Sequence, residues 1–218
     1  MDRVSPAAPP LAASSLQLVD LQCIRARRAL FSGLTLAVPA GHVLRVQGPN
    51  GAGKTSLLRM ICGLLSPHAG EVLWKGRNIA KLREEFGREL TFFGHLAGLK
   101  AELSPLENLL ITAALSDIVC DPPTALKALA AAGLSGHERM PVRALSQGQR
   151  RRAALARLML SPTPLWVLDE PFNALDQAAT QWLLTLIGAH ANRGGIIVLT
   201  SHQPVTLEGS ICQITLTL

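Results

Sequence analysis

Gly48-Pro49-Asn50-Gly51-Ala52-Gly53-Lys54-Thr55 decides how the rest of this chain reads. The octet satisfies G-x-x-x-x-G-K-[ST] at every fixed position. Before it lies a short β-rich run, His42–Gln47 (HVLRVQ). After it, apolar residues at 57, 58, 61, 64 and 65 fall at helical spacing. A strand, a glycine-rich turn and a helix in that order predict a cradle for phosphate. Glycines at 48, 51 and 53 let the backbone turn its amides inward, and the helix N-terminus adds partial positive charge. The expected binding set is Gly48, Pro49, Asn50, Gly51, Ala52, Gly53, Lys54, Thr55 and Ser56. Lys54 is placed between β- and γ-phosphates, and the Thr55 hydroxyl is offered to Mg²⁺.

Such a loop needs a second metal ligand and a group that orients water. Leu165-Trp166-Val167-Leu168-Asp169-Glu170 supplies both, an apolar strand ending in two acids. Asp169 is expected to hold Mg²⁺ directly or through water, and Glu170 to act as general base.

Outward from these two stretches, apolar runs alternate with helical ones, the mark of an α/β protein. Strands are expected at 16–23, 30–38, 42–47, 70–75, 89–93, 165–168, 195–200 and 211–216. Between residues 104 and 160 only helical segments read well: 105–115, 123–132 and 146–160. Ser104-Pro105-Leu106-Glu107 gives the first of these an N-cap, a proline at N1 and an acid at the positive end of the dipole. The organisation expected is a disordered Pro/Ala/Ser-rich leader over 1–15 and one domain over 16–218, with a helical insertion at about 96–160.

Composition agrees. With 48% apolar and 17% charged residues among 218, disorder is excluded for most of the chain. The net charge of +6 permits nucleic acid, an anionic membrane or phosphate ligands, and selects none. Cys23, Cys62, Cys120 and Cys212 are scattered and read as reduced packing residues rather than a zinc or disulfide framework. No apolar run reaches the roughly 18 residues of a membrane span.

Leu145-Ser146-Gln147-Gly148-Gln149 precedes a long helix and then the Asp-Glu strand. Together with the phosphate loop it resembles the LSGGQ signature of ATP-binding-cassette ATPases. Asn173-Ala174-Leu175-Asp176 resembles the D-loop of that family, and His202 its switch histidine. The resemblance implies a P-loop NTPase fold, a mixed β core with an inserted helical subdomain, using ATP and Mg²⁺. It implies a head-to-tail homodimer, in which Ser146, Gly148 and Gln149 of one copy meet the nucleotide on the other and His202 senses the γ-phosphate. His95 stands where the family usually has glutamine. The aromatic expected to stack on adenine near residue 25 is absent, with Arg25, Arg27 and Arg28 in its place.

The stretch from Gly94-His95 through Gly98-Leu99-Lys100, Glu102-Leu103-Ser104 and Glu107-Asn108-Leu109 narrows the likeness. It is similar to the ATP-binding subunits of cytochrome c maturation heme exporters, which also carry this histidine and a tryptophan in the Asp-Glu strand, here Trp166. That likeness implies a peripheral subunit on the cytoplasmic face of a bacterial inner membrane, paired with integral membrane subunits and serving heme delivery. Those subunits would dock on His95, Leu96, Leu99 and the start of the Pro105 helix, leaving the leucines exposed in the unassembled chain. Arg150-Arg151-Arg152 reads as a solvated or phosphate-facing surface, and no nucleic-acid partner is expected. His42, His68, His137 and His190 share no spacing and read as surface or packing residues.

Overall fold

Residues 15–94, 98–201 and 211–218 are described by the computed structural model. The strands are β1 (Ser15–Arg25), β2 (Arg28–Pro39), β3 (His42–Gln47), β4 (Ala69–Trp74), β5 (Arg77–Asn78), β6 (Leu90–Phe93), β7 (Leu165–Leu168), β8 (Ile196–Thr200) and β9 (Cys212–Thr217). The α-helices are α1 (Lys54–Ile61), α2 (Ile79–Leu82), α3 (Glu84–Gly87), α4 (Pro105–Leu115), α5 (Pro122–Ala131), α6 (Gln147–Leu155) and α7 (Gln177–Asn192). Among the described residues two sheets form. One is antiparallel, in the order β2-β1-β4-β5, and the other parallel, in the order β6-β7-β8-β3-β9.

Burial on both faces explains why the parallel strands read as unbroken apolar runs. Alternate residues serve different cores. Leu44, Val46, Leu165, Val167, Ile196 and Val198 face the antiparallel sheet and α1. Val43, Trp166, Leu168, Ile197 and Leu199 pack instead against α6 and α7. A one-residue slip in any strand would exchange the two sets, so register is firmly specified.

The chain between β6 and β7 folds α4, α5 and α6 around Leu106, Leu129, Leu134 and Ala153. Ser104 caps α4 through a complete capping box with Glu107. That pair holds the Glu107 carboxyl below its usual pKa, chiefly through the Ser104 backbone N–H. Leu99 is half-buried and packs against both this cluster and the α7 core. The expectation of an exposed Leu99 is therefore corrected: the loop has no periodicity of its own, but it spans two cores that cover the side chain.

Three more expectations change. β1 begins at Ser15, which pairs with Pro39, one residue inside the stretch read as leader; residues 1–14 lie outside the described residues. The helix expected to run from 146 to 160 is α-helical only to Leu155 and continues as a 3-10 turn over Ala156–Met159. Cys23 and Cys62 are buried as expected, but Cys212 is exposed on the edge strand β9.

Topology fixes the site. β3 leads into the glycine loop, β7 leads into Asp169, and β8 lies between them, with Val46 opposite Thr200 and Leu168 opposite Leu199. The C-terminal ends of three parallel strands thus converge where open α/β sheets bind their ligands.

Candidate functional site

Gly53 is the N-cap of α1 at φ 107, with no side chain capping the helix, so the first-turn amides face the loop's hollow. A Cβ on Gly48 would lie 2.7 Å from the Leu218 carbonyl oxygen, which makes glycine obligatory where the loop leaves β3. The Ala52 N–H donates to the Pro49 carbonyl at 3.2 Å, closing the turn. Lys54 folds back over the loop, its Nζ donating to the carbonyls of Gly48 at 2.8 Å and Pro49 at 3.1 Å.

Asp169, 3% exposed, is held from two elements. Thr55 Oγ1 donates to its Oδ2 at 3.1 Å, and Thr200 Oγ1 donates to its Oδ1 at 2.8 Å. The same Thr200 hydroxyl accepts the Glu170 N–H at 2.7 Å. Glu170 itself adopts φ 50, a left-handed conformation uncommon for a residue with a side chain. Arg151 of α6 donates to the carbonyls of both Asp169, at 3.1 Å, and Glu170. Beside this group the Cys62 thiol is pushed up to about 12, first by burial and then by the charge of Asp169, so it stays protonated and unreactive.

Lys54, Thr55, Asp169 and Glu170 border a cleft of about 830 Å³ that also meets Asn50, Phe92 and Arg157. Its chemistry is polarised. Lys54 and the loop amides offer cationic and N–H character suited to phosphate, while Thr55 and Asp169 offer oxygen donors 3.1 Å apart, the ligand type Mg²⁺ takes. Both groups fit the residues present.

Of the sequence-expected residues, Asn50, Gly51, Gly53, Lys54, Thr55, Ser56, Asp169 and Glu170 come together on this cleft. Gly48, Pro49 and Ala52 shape the loop from behind. Ser146, Gly148 and Gln149 do not border it. Ser146 caps α6, its Oγ accepting the Gln149 N–H while Gln149 Oε1 accepts the Ser146 N–H. Gly148 backs onto the Ala174 carbonyl. His95 and His202 lie outside the described residues.

Sequence reading missed Thr200, whose signal was one hydroxyl closing the apolar run Ile196–Leu199. It also read the three arginines as one surface: Arg150 is exposed as expected, whereas Arg151 is buried and Arg152 half-buried. Arg150 donates to the carbonyls of Val142 and Arg143, Arg151 to Asp169 and Glu170, and Arg152 to Gly133. Consecutive helical residues point about 100° apart, so a run of three cannot share one solvated face.

Known proteins agree with this geometry. The ABC transporter family model matches residues 31–173. The chain is 50% identical over 192 residues to the cytochrome c biogenesis ATP-binding export protein CcmA of Dechloromonas aromatica, covering 88% of this chain and 94% of that protein. Its identity to the protein of the same name from Nitrosospira multiformis is 47% over 199 residues, covering 91% and 97%. Among solved structures, a putative ABC transporter ATP-binding protein from Pyrococcus furiosus superposes with a TM-score of 0.80 at 27% identity, over 94% of this chain and 98% of that one. The chain belongs to the ABC transporter family and, within it, to the cytochrome c biogenesis ATP-binding export proteins known as CcmA.

Proposed function

We propose that this ATPase powers an exporter that serves heme delivery in c-type cytochrome biogenesis, with Glu170 as its general base. The observation that carries the catalytic reading is the Thr55–Asp169–Thr200 chain of hydrogen bonds, which fixes the glycine loop, the acid pair and β8 against one another. Lys54 exchanges its two loop carbonyls for β- and γ-phosphate oxygens of ATP. Thr55 and Asp169 would hold Mg²⁺, which would supply positive charge against the phosphate oxygens. Glu170 accepts a proton from water as the water oxygen bonds to the γ-phosphorus and the bond to ADP breaks.

Two further parts of the reading concern partners. No residue of the Ser146–Gln149 segment borders the chain's own cleft among the described residues, which supports a second copy supplying that helix N-terminus. The family's pattern assigns His202 a γ-phosphate contact and puts His95 at the family's usual glutamine position; both lie outside the described residues. A smaller cavity of about 230 Å³ opens between β6 and α4, and α4 and the turn after it expose Leu115 and Val119. An apolar lip beside a groove supports docking of integral membrane subunits there. No helix among the described residues is long and apolar enough to cross a membrane, and peripheral attachment at the cytoplasmic face of a bacterial inner membrane fits the relatives' role in export.

Paired substitutions test the catalytic assignment. Lys54→Ala should weaken ATP binding about 10- to 100-fold, as loss of a charged hydrogen-bond donor does. Glu170→Gln should keep ATP binding while turnover falls by about 100-fold or more. Equilibrium binding of labelled ATP beside phosphate release separates the two, and a Glu170→Gln protein with wild-type turnover would remove the base from the mechanism.

A further inference from the structure

Arg151 is 8% exposed, whereas its two neighbours on α6, Arg150 and Arg152, reach out to the carbonyls of other loops. Its guanidinium carbon lies 4.4 Å from the centre of the Phe93 ring, at the end of β6 where the chain turns toward the helical insertion. From that position it donates to two successive carbonyls, those of Asp169 and Glu170. We propose that Arg151 is a positioning residue that aims the Glu170 carboxylate, so that the seating of α6 on the core reaches the reacting water through one guanidinium.

The geometry supports this in three ways, resting on the reading of Glu170 as base. Glu170 has φ 50, and a non-glycine residue keeps such a conformation only where its surroundings over-determine it. Here the Thr200 hydroxyl fixes the Glu170 N–H and Arg151 fixes the carbonyls of residues 169 and 170, so the peptide planes flanking the Glu170 Cα are held. A planar, forked donor stacked on an aromatic ring has a defined direction, which an ammonium on a flexible stem lacks. Finally, α6 does not depend on Arg151 for its place. Arg150 ties it to Val142 and Arg143, Arg152 ties it to Gly133, and Ser146 with Gln149 caps it. Loss of Arg151 should therefore release Glu170 without unseating the helix.

The test uses the full chain under conditions in which the unsubstituted protein turns over MgATP, with Arg151→Ala, Arg151→Lys and Glu170→Gln measured side by side. A misaimed reacting group costs about 10- to 100-fold in rate. Arg151→Ala should lower kcat by that factor with KM for ATP within about twofold and the melting midpoint near wild type. Arg151→Lys keeps the charge and most of the bulk and should still lose about tenfold in kcat. Wild-type kcat in Arg151→Lys would overturn the inference. So would a parallel loss of kcat, ATP affinity and melting midpoint in both variants, which would mark a purely structural residue. If Glu170→Gln turns over normally, the fault lies instead in the assignment of the base.

Discussion

A methyl group on Gly148 would lie 2.8 Å from the Ala174 carbonyl oxygen, closer than real Cβ contacts come. The clash is with backbone, so no side-chain rotation relieves it, and Ala174 already sits at φ 61. Gly148→Ala should therefore push the start of α6 and the loop 173–176 apart, moving a helix N-terminus whose aim matters. Overpacking of this kind costs about 1–3 kcal/mol. The expected outcome is turnover lowered about tenfold or more with ATP binding to the isolated chain within twofold, because the glycine loop lies on a different element. Phosphate release and labelled-nucleotide binding check both halves, and a normally active Gly148→Ala protein would show that the two segments separate without consequence. The glycine of this segment was legible as part of a motif. Its steric reason was not, because Ala174 lies 26 residues further on and only the fold brings it near.

At the scale of elements, α7 is tied to the sheet by an unusual pair. The His190 ring stacks on Trp166 of β7 with centroids 3.8 Å apart and planes 8° apart. Gly195 makes room for it, since a Cβ there would overlap the imidazole. Burial pushes the His190 pKa from 6.5 down to about 4, and Arg193 pushes it the same way while the Pro164 carbonyl opposes them. The folded protein thus binds fewer protons here than the unfolded chain does between those two pH values. The sign follows: stability is unaffected above about pH 6.5 and falls as pH drops toward 4, by about 2 kcal/mol at pH 5. His190→Phe keeps the flat ring and removes the titration. Urea melts at pH 7.5 and pH 5 should show the wild type losing more stability than the variant by roughly that amount, and equal losses would refute the assignment. Elements such as β7, β8 and α4 were legible because buried parallel strands read as apolar runs and caps are local. β5, α2 and α3 were not, being two to four residues long and held by their neighbours. The break in the helix after Leu155 and the reach of Arg151 and Arg152 to carbonyls of different, distant segments likewise belong to tertiary packing, which periodicity does not carry.

For the whole molecule, the distance of Ser146 from the cleft bears on the proposal that two chains make one site. The cleft is lined by the loop after β3, by α1, by the ends of β6 and β7, by Leu30 of β2, by Asn173 and by Arg157 in the turn that follows α6, whereas Ser146 at the start of α6 borders no part of it among the described residues. Ser146 Oγ accepts the Gln149 N–H, which leaves its own proton to donate, and the α6 N-terminus adds its partial positive charge; both suit a γ-phosphate presented by another copy. In a head-to-tail pair every site is then half from each chain. Ser146→Arg damages the signature half and spares the glycine loop, while Lys54→Ala does the reverse. Each variant alone should be inactive, because every site in its homodimers carries one damaged half. An equal mixture that exchanges partners makes about half of all dimers mixed, and each mixed dimer holds one intact site and one doubly damaged site. If sites act independently, phosphate release should recover to about a quarter of the wild-type rate, at a protein concentration that supports pairing. Binding of labelled ATP to Ser146→Arg should remain near wild type throughout, showing that the loss lies in assembly of the site and not in the loop. Full activity of Ser146→Arg on its own would instead place the whole catalytic site within one chain.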